Sequence, residues 1–118
     1  PWGVVVVDSG RIVAIEKDSP VVDFDLPNHL LLPGFVNGHT HLDLSHLNQI
    51  LPEVDTSDSP ASLTKWLLRV IAERRQTNSA QTQQAIASGI QESIQCGVTA
   101  LCDISVGGAS YAQLRQAP

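Results

Sequence analysis

Two histidines two residues apart, His39 and His41, stand near the end of the segment Leu31-Leu32-Pro33-Gly34-Phe35-Val36-Asn37-Gly38-His39-Thr40-His41-Leu42. On a strand, alternate side chains leave from one face, so these imidazoles project together while Thr40 and Leu42 project from the other face. Two neutral imidazoles on one face can hold one cation. A catalytic zinc-type site takes about three protein ligands and keeps a position open for water, so the pair is half of such a site. Four histidines in 118 residues give about 0.14 His-x-His triplets by chance, so the argument rests on context. Pro33-Gly34 resets the backbone before a buried-strand pattern at Phe35 and Val36, and the histidines fall where that strand would end. The plainer alternative is a pair of satisfied, hydrogen-bonded histidines.

The elements that would position this pair follow from pattern. Val4 to Val7 and Ile12 to Ile15 flank Asp8-Ser9-Gly10-Arg11, which reads as a β-hairpin. Val21 to Asp25 is a candidate third strand, ended by Pro27-Asn28. After His46 the polar, proline-bearing stretch from Asn48 to Ser59 is too long for a tight turn and suits a functional loop over the active site. Ser59-Pro60 makes a helix start, with a capping hydroxyl and proline at the first helical position. Leu63, Trp66, Leu67, Val70 and Ile71 then share one apolar helical face. A second helix begins near Thr77, Asn78 or Ser79, carries the stripe Ala85, Ile86, Ile90 and Ile94, and ends at Gly97. The apolar run Val98 to Ile104 is expected to be a strand buried on both sides, with Ser105 to Gly108 as a flexible loop and Tyr111 to Arg115 as a starting helix. Hairpin, strand, loop, two helices and strand in that order make an α/β chain with one β/α/β unit.

Leu32-Pro33-Gly34-Phe35-Val36-Asn37-Gly38-His39-Thr40-His41-Leu42 resembles the first metal-binding motif of the amidohydrolase superfamily. It is similar to the branch of nucleoside, guanine and cytosine deaminases and triazine chlorohydrolases, in which a (β/α)8 TIM-like barrel carries the motif on its first strand. Gly10-Arg11-Ile12-Val13-Ala14-Ile15 resembles the segment that builds a small flanking β-sandwich there, and Gly97-Val98-Thr99-Ala100-Leu101-Cys102-Asp103 resembles the second barrel strand. Asp43, Leu44, Ser45 and His46, followed by a helix with Trp66, resemble the aminofutalosine-deaminase-like members.

The resemblance implies that residues 1–33 belong to the sandwich, its hairpin segment included, and residues 34–118 to the N-terminal part of the barrel. It implies His39 and His41 as ligands of a divalent metal, zinc first and iron second. Asp43, Ser45, His46 and Trp66 become candidate substrate contacts, with solvated loop, cap or core roles as the alternatives. Asp103 is expected to orient ligand-supporting groups or cap the next turn. The implied reaction is attack of metal-activated water on an electron-poor carbon of an amino-substituted N-heterocycle or nucleoside, with ammonia leaving. Hydrolysis of a C–Cl bond or a cyclic amide shares the same half-site. A complete barrel takes about 250 residues, so with 118 residues and no initiator Met the chain is expected to be a piece of one. The remaining ligands and the acidic proton shuttle would then lie outside it. The reading from a different class is a catalytically incomplete fragment with a structural or assembly role.

Composition narrows the partners. A hydrophobic share of 42% and a charged share of 16% argue against disorder. The net charge of −5, without a basic cluster beyond Arg74-Arg75, argues against nucleic acid; that pair reads as a solvated helix end. No apolar run approaches the roughly 20 residues that span a bilayer. A cytoplasmic protein acting on a small molecule is expected, with a homo-oligomer left open. Cys96 and Cys102 lack Cys-x-x-Cys spacing and are expected to be buried small hydrophobes.

Overall fold

The computed structural model describes residues 3–47 and 60–117, which fall into two compact units, Pro1–Leu32 and Pro33–Pro118. The first unit is built on the expected hairpin, β1 (Val4–Asp8) and β2 (Arg11–Glu16), paired antiparallel from Val4↔Glu16 to Asp8↔Arg11. Its two turn residues, Ser9 and Gly10, both have positive φ (50° and 74°), the geometry that matches the twist of flanking strands in a two-residue hairpin. The candidate strand Val21 to Asp25 does not form. That sheet has two strands, and the segment lies between Pro20 and Pro27, neither of which can donate to a ladder.

In the second unit β3 (Phe35–Thr40) runs parallel to β4 (Val98–Asp103). Parallel neighbours need a long crossover, and it carries α1 (Pro60–Gln76) and α2 (Ser79–Gln95). Pro60 takes the first helical position, as its fixed φ and missing N–H favour; the capping role expected of Ser59 and the loop expected from Asn48 to Ser59 lie outside the described residues. Asn78 caps α2 through a reciprocal pair, its side chain accepting from the Gln81 amide while the Gln81 side chain accepts from the Asn78 amide, both at 2.9 Å. The helix ends at Gly97, whose φ of 77° lets its amide turn back to the Ile94 carbonyl at 3.0 Å. One turn of helix, α3 (Tyr111–Leu114), follows β4.

The core sits where a 3-10 turn, Leu42–Leu44, lies against α2. Leu42, Leu47, Val70, Ala85 and Ile86 are buried there, and burial of each large apolar side chain contributes about 1.5–3 kcal/mol. Gly89 is what lets the two backbones meet, because a Cβ on it would collide with the Ser45 hydroxyl and the Leu42 side chain. The rest of the α2 stripe is more open, with Ile90 half-buried and Ile94 exposed. On α1 only Val70 of the expected apolar face is buried, Trp66 is half-buried, and Leu63, Leu67 and Ile71 are exposed.

Two expectations are corrected. β4 is not buried on both sides: the sheet has β3 and β4 alone among the described residues, and along β4 the residues are half-buried or exposed, none fully buried. Cys96 and Cys102 are free thiols and both are exposed, Cys96 because it is the cap residue at the end of α2 and Cys102 because it lies on that open strand. No helix among the described residues is long and apolar enough to cross a membrane.

The close approach at Gly89 reverses the sign of a routine substitution. Gly→Ala within a helix ordinarily gains about 1 kcal/mol, whereas Gly89→Ala is expected to lose about 1–3 kcal/mol by overpacking against Ser45 and Leu42, read as a lower midpoint in urea unfolding.

Candidate metal centre

β3 ends at Thr40, and His41 keeps the φ of a strand but with a lowered ψ (φ −129°, ψ 78°), which leaves its ring on the same side as that of His39. His39 and His41 therefore converge. Their Nε2 atoms stand 3.3 Å apart, with ring centroids 5.1 Å apart and ring planes at 74°. Two Zn–N bonds of about 2.0–2.1 Å at a tetrahedral angle place their nitrogens about 3.3 Å apart, so the pair has the bite of a metal chelate. His41 Nδ1 donates to the Ile104 carbonyl at 2.7 Å; a carbonyl only accepts, so the neutral ring carries its proton on Nδ1 and leaves the Nε2 lone pair free for a cation. The backbone amide of His39 donates to Asn37 Oδ1 at 3.1 Å. Without a cation, the same arrangement satisfies the pair as an Nε2–H of His39 donating to Nε2 of His41. Both rings are exposed. The described residues hold no group of three or more histidine, cysteine or carboxylate side chains fit for a metal, so the chelate has two protein donors.

The end of β4 builds the other side of this centre. The Ile104 amide donates to the Thr40 carbonyl at 2.8 Å, which continues the parallel ladder past Thr40↔Asp103. Asp103 Oδ1 accepts the Leu42 amide at 2.8 Å, and Asp103 Oδ2 accepts the Ser110 hydroxyl. Asp103 thus accepts the first amide of the 3-10 turn that begins immediately after His41, a turn on the neighbouring strand's end and not the one that follows its own strand.

The candidate substrate contacts are distributed differently. Asp43 is 5% exposed and pairs with Arg74, while its Oδ1 is buried without a partner. Arg74 is therefore not simply a solvated helix end, because the last turn of α1 brings it over the 3-10 turn. Ser45 packs its hydroxyl against Gly89. His46 Nε2 is 3.3 Å from Thr77 Oγ1, whose own proton goes to the Glu73 carbonyl at 2.9 Å; His46 then donates from Nε2, and its buried Nδ1 has no partner. Asp43, His46, Arg74 and Thr77 line a cleft of about 200 Å³ together with Thr82, Val106 and Ala109. Trp66 stands half-buried on α1 and is not part of that lining.

Sequence reasoning missed Ile104, Ser110, Arg74 and Thr77. A backbone carbonyl leaves no trace in residue types, so Ile104 had no signal. Arg74 had one: an acidic residue in a turn that must bury needs a cation, and an arginine in the last turn of the next helix can supply it.

A family model described as the amidohydrolase family matches residues 30–117. No curated protein and no solved structure matches the chain.

Removing the Arg74 guanidinium strands a buried carboxylate. Arg74→Ala is expected to cost about 1–3 kcal/mol, less than a fully buried pair because the arginine is partly exposed. The double variant Arg74→Ala/Asp43→Asn should recover part of that loss, read by urea unfolding of the two side by side.

Proposed function

The chain belongs to the amidohydrolase family, and on that premise we propose that it serves a metal-dependent deaminase, releasing ammonia from an amino-substituted N-heterocycle or nucleoside. The family is one of hydrolases that generally use divalent metals. The observation that carries the reading is the convergence of His39 Nε2 and His41 Nε2 at 3.3 Å, with His41 held in the ligating tautomer by the Ile104 carbonyl.

In this reading β3 is the first strand of a (β/α)8 barrel, β4 is the second, and the hairpin belongs to a flanking β-sandwich. His39 and His41 hold the metal, zinc by preference, since imidazole nitrogen is a natural zinc donor. A bound divalent ion supplies Lewis acidity that activates water and polarises the carbon under attack. The chain's own residues do the rest locally. The Ile104 carbonyl keeps the His41 proton away from the metal side. The Leu42 amide, tied to Asp103, fixes where the ligand strand turns. Asp43, Ser45 and His46 follow the ligands on that turn and border the substrate with Trp66, Asp43 and His46 through the cleft they share with Arg74 and Thr77.

The test is metal content and a deamination screen on matched samples of the complete barrel that this reading requires, wild type and the His39→Ala/His41→Ala variant. Loss of about one metal per chain, with ammonia release down by at least about 100-fold, is expected. Chloride or ring-opened product in place of ammonia would redirect the reaction while keeping the metal. Unchanged metal content and activity would reduce both histidines to a structural pair.

A further inference from the structure

We infer that Ser110 is a positioning residue for the metal ligand His41, acting through Asp103, and that Ser110–Asp103–Leu42 forms a latch setting the orientation of the chelate. The inference rests on the proposed metal site and goes beyond it by naming a residue far from the His-x-His motif.

Ser110 directly precedes α3, where a serine hydroxyl ordinarily caps the helix that follows. Here it makes no cap bond. Its hydroxyl goes instead to Asp103 Oδ2, seven residues back, with the Ser105 hydroxyl 3.1 Å away. The intervening chain is bent to allow this, for Gly107 and Gly108 both have positive φ (64° and 67°). Ser110 is only 3% exposed and Asp103 is half-buried, so the hydroxyl end of the bond is shielded from water.

The consequence runs along the carboxylate. With Oδ2 held by Ser110, Oδ1 is aimed at the Leu42 amide, 2.8 Å away. Leu42 is joined to His41 by one peptide bond, and Ile104, the residue after Asp103, accepts the His41 Nδ1 proton at 2.7 Å. Two adjacent residues of β4's end therefore grip two adjacent residues of β3's end, one by the backbone and one by the imidazole. Loosening the carboxylate frees the Leu42 amide, and with it the ring angle that keeps Nε2 facing His39. Outer partners of metal-bound histidines typically change affinity by about 10–100-fold when removed.

Ser110→Ala removes only the hydroxyl, and Asp103→Asn removes one of the two acceptors while keeping the shape of the side chain. Two readouts are made on the purified protein: zinc affinity by chelator competition, and the His41 tautomer in the metal-free state from long-range 1H–15N spectra. Wild type should show the proton on Nδ1 of His41. Both variants should show a mixture of tautomers and zinc binding weaker by about tenfold or more, with Ser110→Thr, which keeps the hydroxyl, recovering the wild-type tautomer. Variants that lose thermal stability but keep the wild-type tautomer and zinc affinity would overturn the latch while leaving the metal site intact. A wild-type protein that takes up no zinc would overturn the metal site itself, and the latch with it.

Discussion

The arrangement of the two histidines depends on the backbone of one residue, Ile104. Its amide closes the parallel ladder on Thr40 and its carbonyl takes the His41 imidazole proton. Strand pairing and imidazole orientation are thus coupled: a slip of β3 against β4 would carry His41 away from that carbonyl. A side-chain acceptor in that place would add rotamer freedom, whereas a backbone carbonyl at the end of a strand has its direction set by the ladder. This is why a two-residue spacing in sequence becomes a 3.3 Å separation of two nitrogens in space.

The energetics around the centre divide sharply. Apolar packing is concentrated where the Leu42–Leu44 turn lies against α2, with Leu42 beside Gly89 and with Ala85 and Ile86 buried on that helix, and that contact anchors the turn that follows His41. Beyond it the polar groups are only partly satisfied. Asp43 uses one carboxylate oxygen for Arg74, His46 uses one nitrogen for Thr77, and the second atom of each is buried without a partner. Unpaired buried polar atoms cost about 1–3 kcal/mol each, and native folds concentrate such costs where chemistry or ligands need them. The well-packed turn and the under-satisfied cleft are built from the same five residues, Leu42 to His46.

Much of this was legible in the sequence where a local rule decides the outcome. The hairpin, the proline at the start of α1 and the Gly97 stop each follow from a residue type whose backbone preference is strong, and all three sit where pattern placed them; of the three starts open for α2, the structure takes Ser79 with Asn78 as its cap. The His-x-His pair was legible because alternation on an extended segment is a geometric fact. What failed were inferences about burial. Among the described residues, Val21 to Asp25 has the composition of a strand but pairs with no other strand, and β4 has the composition of a doubly covered strand but a single neighbour in its sheet. Hydrophobicity states what a segment can bury, and only the partners decide what it does bury. The Asp103–Ser110 contact was out of reach for a related reason, since it crosses a turn set by two positive-φ glycines, whereas the Asp43–Arg74 pair, 31 residues apart, left charge complementarity as its one trace.

The carbonyl of Ile104 also makes the two histidines unequal partners. With its proton parked on Nδ1, His41 presents a bare Nε2 and is ready to ligate. His39 uses its Nε2 proton to bridge to His41. Were a divalent ion to bind this pair, His41 would offer its lone pair at once, whereas His39 would first have to shift its proton from Nε2 to Nδ1, an exchange that solvent at that exposed ring can relay.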